Sequence, residues 1–98
     1  MIALRPEAQA QIDGLLQHYE RLGRVEAIEN LLAAIEQARD QIALAPSAGL
    51  VAPRPYPRLA ERGLRWIKVG RYWVAYNRAI PPVIHGLFYE AADIPGRF

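Results

Sequence analysis

Apolar residues in the first half of the chain recur at three- and four-residue spacing, which is the period of an amphipathic helix. The first stripe comprises Ile12, Leu15, Leu16, Tyr19 and Leu22, and the second comprises Ile28, Leu31, Leu32, Ile35, Ala38 and Ile42. Pro6 suits the first turn of the first helix, because its missing N–H has no partner to lose there. Gly23 is expected to end that helix, and the second begins at Arg24 or Val25. The short connection predicts an antiparallel helical hairpin.

A loop follows the helices. Pro46 stops the second helix, and further prolines at 53, 55 and 57 predict no regular element over residues 46–63. Its apolar side chains are expected to pin it to the body of the protein; they are Leu50, Val51, Tyr56 and Leu59. We therefore interpret the loop as mostly structural.

The last third of the chain has the pattern of β-strands. Residues 64–69 and 72–77 flank Gly70 and Arg71. A glycine at the first position of a two-residue loop favours a type II′ hairpin turn, which fixes the pairing of the two strands.

This pairing sorts the hairpin side chains onto two faces. Arg65 is opposite Tyr76 on the face that we expect to pack against the helices. We predict structural roles for both, with the Arg65 guanidinium partly buried and hydrogen-bonded. The other face carries Trp66, Trp73 and Lys68 and must be either covered or used for binding.

Two more strands complete the predicted architecture. Pro81 and Pro82 predict a turn before a strand over residues 83–89, and residues 1–4 are suited to a short edge strand. The residues after 90 are too rich in helix breakers for a long helix. The order of elements predicts one α+β domain over residues 1–98, with a helical hairpin packed on a small antiparallel sheet in the order β-α-α-β-β-β.

Composition narrows the class of protein. Of the 98 residues, 52% are hydrophobic and 22% are charged, which excludes a disordered chain. The absence of cysteine excludes thiol catalysis, disulfides and cysteine-ligated zinc. Two histidines cannot form a histidine metal triad, and we expect neither metal nor cofactor. The sequence shows no long apolar run and no signal-peptide pattern, so we expect a soluble cytoplasmic protein.

The net charge of +2 conceals an asymmetry. Residues 1–50 carry four Lys or Arg and seven Asp or Glu, whereas residues 51–98 carry eight and three. The basic second half suggests an acidic partner, either nucleic acid or an acidic protein segment. Alternatively, the basic side chains only solubilise one face of the sheet.

Few residues point to chemistry. No phosphate-binding glycine loop, serine elbow or metal-binding histidine pair is present. His85 is a possible general acid or base, but a histidine in a strand is more often packed or hydrogen-bonded. His18 is expected at the surface. Glu90 and Asp93 are not expected to form a catalytic carboxylate pair.

The aromatic and basic residues of the hairpin suggest binding instead. Trp66 and Trp73 have the chemistry to stack on bases while Lys68 and Arg71 contact phosphates. The same side chains are also common anchors of protein interfaces. The sequence leaves these two alternatives open.

Four segments, in order, carry a family resemblance. They are Leu4-Arg5-Pro6-Glu7-Ala8, Gly63-Leu64-Arg65, Val69-Gly70-Arg71-Tyr72-Trp73-Val74-Ala75-Tyr76 and Phe88-Tyr89-Glu90-Ala91-Ala92-Asp93-Ile94-Pro95. Over nearly its whole length the chain resembles the toxins of bacterial type II toxin–antitoxin modules, in the superfamily of ParE and RelE. The resemblance implies a toxin that a small cognate antitoxin neutralises in a higher-order protein complex.

The resemblance also implies alternative targets. Nuclease members cut messenger RNA on the ribosome with basic residues, and in this chain Trp73 and Ala92 stand where such members have arginine. Tyr89 replaces a common histidine, so cleavage would depend on Lys68 or Arg71 to stabilise the phosphate. The ParE-like role, inhibition of DNA gyrase without covalent chemistry, is therefore the expectation. An mRNA endonuclease and a non-toxic, antitoxin-binding member are the alternatives.

The candidate residues for binding the target or the antitoxin are Lys68, Arg71, Trp66, Trp73, Tyr89, Arg97 and Phe98. Arg97 and Phe98 are expected to form an exposed cationic and aromatic end. An acidic, amphipathic antitoxin segment is expected to wrap the basic half of the chain.

Overall fold

A computed structural model describes residues 2–97. The elements are β1 (Ala3–Leu4), α1 (Pro6–Arg21), α2 (Val25–Leu44), a 3-10 helix (Pro57–Arg62), β2 (Arg65–Val69), β3 (Tyr72–Tyr76), β4 (Val83–Tyr89) and a final turn of helix, α3 (Ile94–Arg97). Two helices packed on a four-stranded sheet confirm the predicted α+β fold. Within residues 2–97, no helix is both long and apolar enough to cross a bilayer.

The helical hairpin forms as the sequence predicts. Pro6 occupies the start of α1, and Gly23 adopts a left-handed φ of 65° between the two helices. That conformation lets the chain reverse without strain, because glycine has no Cβ to clash. Helix α1 lies against β4, and α2 lies against β2.

The sheet has the strand order β1-β4-β3-β2. Strands β2, β3 and β4 are antiparallel neighbours, whereas β1 runs parallel to β4, so the sheet is mixed rather than wholly antiparallel. Gly70 has a φ of 57° and Val69 pairs with Tyr72, as the predicted two-residue turn requires. The predicted pairing of Arg65 with Tyr76 is also confirmed.

A β-bulge interrupts the pairing of β3 with β4. Ala75 pairs with Gly86 and Tyr76 with Ile84, which leaves His85 as the additional residue. The bulge reverses the alternation of side chains, so Ile84 and Leu87, three residues apart, both enter the core beneath the helices.

Both faces of the sheet are covered. One face packs against the helices, as predicted. On the other, Trp66 and Trp73 are only 0% and 3% exposed, because Leu59 and Ala52 from the loop and Ile94 from α3 pack over them. The expectation that the tryptophans form an exposed binding face is therefore wrong.

The loop before β2 is also more regular than predicted. Pro57 begins the 3-10 helix within the segment for which we expected no regular element. Leu50 forms a β-bridge with Trp66 at the outer edge of β2, with both N···O distances at 2.7 Å. Leu59 and Tyr56 pin the loop as expected, whereas the side chain of Val51 is exposed.

Candidate functional site

Three of the charged residues meet at the end of the β2–β3 hairpin. Lys68 lies on β2, Arg71 lies in the hairpin turn, and Glu90 follows directly after β4. The backbone N–H of Glu90 donates to the carbonyl oxygen of Arg71 at 2.8 Å, which extends the β3–β4 pairing by one residue. The pairing of the strands therefore fixes the acid beside the two cations.

Glu90 binds both cations. Its Oε2 is 2.7 Å from Lys68 Nζ, and its Oε1 is 3.5 Å from Arg71 Nη1. The hydrogen bond from Lys68 is the main cause that lowers the pKa of the Glu90 carboxyl below its ordinary value, so the group is ionised at neutral pH. The Lys68 ammonium also lies 5.9 Å from the centre of the Trp73 ring. The cluster thus carries a net charge of one rather than two.

Tyr89 lies on the opposite face of the sheet. Lys68 pairs with Trp73, whose ring belongs to the core beneath the loop, whereas Tyr89 pairs with Tyr72 and packs with the core beneath the helices. The Tyr89 and Tyr72 rings meet edge to face, with centroids 5.8 Å apart. The sheet therefore separates the Tyr89 phenol from the Lys68 ammonium, and the two groups do not face a common substrate position.

The remaining predicted binding residues are dispersed. Trp66 and Trp73 are buried, so neither presents a face for stacking on bases or for receiving a partner's side chain. Arg97 is the last residue of α3, while its side chain and Phe98 lie outside the described part of the chain. Arg71, with 73% of its side chain exposed, is the most accessible of the predicted residues whose side chains are described.

The two predicted structural residues differ in their contacts. The hydroxyl of Tyr76 donates to the carbonyl oxygen of Pro46 at 2.8 Å and accepts from the N–H of Gly49 at 3.2 Å. Arg65 is partly buried, as predicted. Within residues 2–97 its guanidinium makes no hydrogen bond, so that part of the prediction is wrong; Tyr76, not Arg65, fastens the end of α2 to the sheet.

His85 occupies the bulge and is partly buried. Its Nε2 is enclosed and has no hydrogen-bond partner within residues 2–97. Burial lowers the pKa of the imidazole, the charge of Arg5 lowers it further, and Glu7 partly opposes this. His18 is exposed, as expected. Across the described residues, no cluster of three or more His, Asp or Glu side chains is suited to hold a metal ion.

Two contacts were not anticipated from the sequence. The hydroxyls of Tyr19 and Tyr72 are hydrogen-bonded at 2.8 Å in the core, and the Leu87 N–H donates to Gln11 Oε1 at 2.9 Å. Both tyrosines fall on predicted core faces, which is the only available signal for the first contact. The sequence carries no signal for the contact between Leu87 and Gln11, because Gln11 is a polar residue beside the apolar stripe of α1.

No protein-family model matches the chain, and no curated protein sequence matches it.

Proposed function

We propose that the protein is the toxin component of a type II toxin–antitoxin module, neutralised by a small cognate antitoxin, and that it acts in the cytoplasm by binding DNA gyrase. It acts as a protein-binding inhibitor and performs no covalent chemistry on its target. This extends the resemblance to ParE that the sequence carries in its hairpin and closing segments.

The fold supports this proposal. A short strand and then the helical hairpin come first in the chain, followed by three consecutive antiparallel strands, which is the arrangement that the resemblance implies. Since one fold supports many functions, the choice of target depends on the site.

The observation that carries the choice is the position of Glu90 between Lys68 and Arg71. A nuclease that lacks arginine at the positions of Trp73 and Ala92 depends on Lys68 or Arg71 to stabilise the scissile phosphate. Glu90 already neutralises one charge and would repel the phosphate. Tyr89, the candidate for proton transfer, lies on the other face of the sheet. A binding role is therefore favoured over RNA cleavage.

The decisive experiment compares both targets with one protein preparation. Purified protein is added to a DNA gyrase supercoiling assay and, in parallel, to translating ribosomes whose messenger RNA is mapped for cuts. We expect inhibited supercoiling and intact RNA. Codon-position cuts with unaffected supercoiling would replace the proposal with an endonuclease, and inactivity in both assays would favour a non-toxic member.

Charge-reversal variants connect this activity to the site. Arg71→Glu is expected to weaken gyrase inhibition by at least about tenfold, because an exposed interface arginine is a frequent anchor of binding. Arg78→Glu is the matched control, since Arg78 is also exposed but lies in the β3–β4 connection. Equal inhibition by the two variants would remove Arg71 from the binding surface.

A further inference from the structure

Lys68 is the only lysine among the 98 residues, whereas the chain has eleven arginines. An arginine guanidinium stays protonated in proteins, but a lysine amine reacts with activated acyl groups and loses its charge when it does. Among the side chains, only Lys68 therefore offers an amine that acylation would neutralise. Such a modification acts at one place in the fold, beside Glu90 and Arg71.

The Lys68 ammonium is accessible to a reagent. Strand β2 lies at the edge of the sheet, and 38% of the Lys68 side chain is exposed. The bridge from Leu50 covers the outer edge of β2 at Trp66, which comes earlier in the strand. The centre of the Trp73 ring is 5.9 Å from the ammonium nitrogen. An acyl group on Lys68 therefore extends toward solvent, and its addition does not require the core to open.

Glu90 is shared unequally between its two cations. Its Oε2 is 2.7 Å from Lys68 Nζ, while its Oε1 is 3.5 Å from Arg71 Nη1. The second distance exceeds the range of about 2.7–3.2 Å that N–H···O hydrogen bonds usually have. The hydrogen bond from Lys68 is also the main cause of the lowered pKa of Glu90, ahead of the charge of Arg71. Lys68 thus holds the carboxylate and leaves the Arg71 guanidinium available to a partner.

Acylation of Lys68 changes which cation Glu90 binds. The amide that replaces the ammonium is neutral, and a hydrogen bond from a neutral donor is about half as strong as one from a charged donor. The guanidinium of Arg71 fits both oxygens of a carboxylate at once. The backbone N–H of Glu90 donates to the Arg71 carbonyl oxygen at 2.8 Å, so the two residues are already side by side. Side-chain rotation alone closes Arg71 onto Glu90, and the exposed cation becomes half of a neutral pair.

We propose that Lys68 is an acylation site and that its acylation weakens target binding, because it transfers Glu90 from Lys68 to Arg71. The acyl donor is a thioester. The uncharged amine attacks the thioester carbonyl, the C–N bond forms as the C–S bond breaks, and the thiol leaves with the proton that the nitrogen loses. The inference deepens the proposed function and rests on it for the identity of the target, DNA gyrase.

Acetyl-coenzyme A tests the modification site. The intact protein is incubated with this thioester alone and with the thioester plus a bacterial cell extract, and peptide mass spectrometry maps the acetyl groups. We expect acetylation of Lys68 in at least one arm, and the comparison separates spontaneous transfer from transfer by an enzyme. A urea-unfolded sample is the control for reactivity. Acetylation of Lys68 in the unfolded sample alone would show that the fold shields the amine, and would overturn the proposal.

The transfer of Glu90 is measured without the target. Acetyl-lysine is incorporated at position 68 during translation, and nuclear magnetic resonance follows hydrogen exchange of the Arg71 guanidinium. We expect exchange to slow by about two- to fivefold, which is the protection that an exposed ion pair provides. Lys68→Gln should reproduce the slowing, whereas Lys68→Arg, which keeps the charge, should not. Equal exchange in the acetylated and unacetylated proteins would overturn the proposal.

The supercoiling assay measures the consequence for the target. Acetylation of Lys68 is expected to weaken gyrase inhibition by about two- to fivefold, because the pair between Glu90 and Arg71 must open before Arg71 binds. In the Glu90→Gln background, where no carboxylate captures Arg71, acetylation should have no such effect. The same loss in both backgrounds would show that Lys68 contacts gyrase directly, and would overturn the proposal. No inhibition by either form would overturn the proposed function instead, while the exchange measurement still decides the transfer of Glu90.

Discussion

The hydroxyl of Tyr19 lies 2.8 Å from that of Tyr72, in the core between the end of α1 and the start of β3. Burial, followed by this hydrogen bond, raises the pKa of Tyr72 far above the usual range for tyrosine, so the Tyr72 phenol is neutral at physiological pH. The Arg24 guanidinium lies 5.9 Å from the centre of the Tyr19 ring. The hydrogen bond between the two hydroxyls fastens the end of α1 to the sheet.

The tyrosine pair is expected to behave non-additively on mutation. Tyr19→Phe or Tyr72→Phe leaves one buried hydroxyl without its partner and should lower the free energy of unfolding by about 1–3 kcal/mol. The double variant should cost less than the sum of the two, because it removes both polar groups together. Chemical denaturation of the four proteins measures the cycle, and strict additivity would show that the hydroxyls do not interact.

A second stability prediction concerns Tyr76. Tyr76→Phe removes the hydrogen bonds to Pro46 and Gly49 and is expected to destabilise the protein by about 1–3 kcal/mol, since both backbone groups lose a partner in a partly buried position. Tyr56→Phe is the control, because its hydroxyl makes one longer bond, 3.3 Å to the Ala92 carbonyl. A loss no larger for Tyr76→Phe than for the control would contradict the role assigned to Tyr76.

Local pattern was sufficient to predict the helical hairpin and the β2–β3 pairing. The apolar stripes predicted the inward faces of the helices, except that Leu22 and Leu32 are exposed. Gly70 predicted the turn and hence the opposition of Arg65 to Tyr76. These features depend on residues close together in the sequence. The cover over Trp66 and Trp73 does not, because it is formed by an aperiodic loop and by Ile94, far away in the chain.

At the candidate site, a β-bulge limits what can be predicted from the sequence. Simple alternation through β4 would place Leu87 and Tyr89 on the face opposite Ile84. The bulge at His85 reverses that alternation, and no residue type in the segment requires a bulge. The family resemblance connected Tyr89 with Lys68, whereas the fold places them on opposite faces of the sheet.

His85 gives the protein a pH dependence near neutrality. Its folded pKa is lower than its ordinary value of 6.5, so the unfolded state binds the proton first. Its contribution to stability is present above pH 6.5 and is lost as the pH falls through 6.5 toward the folded pKa. Arg5 and Glu7 are the charged groups whose fields act on the imidazole, and they act in opposite directions.

Unfolding midpoints measured at pH 7.5 and pH 5.5 test this dependence. The original protein should lose stability over this interval, and His85→Gln should lose distinctly less, because its side chain does not titrate. His18→Gln is the matched control, since His18 is exposed and is expected to follow the original protein. The same loss in His85→Gln as in the original protein would assign the dependence to other groups.

Glu90 is expected to suppress binding of RNA by the cations beside it. Glu90→Gln frees Lys68 and Arg71 for phosphate contacts, so affinity for a single-stranded RNA 12-mer should rise. Two added phosphate contacts on a single strand should steepen the dependence of log affinity on log salt by about 1.4. Fluorescence anisotropy between 50 and 200 mM KCl, about the range over which such contacts are strongly screened, measures both quantities.

Glu61→Gln makes the same change at an exposed acid in the 3-10 helix and serves as the control. If the two variants bind RNA equally, Glu90 does not block the cations, and the argument against a phosphate-binding role for Lys68 and Arg71 fails.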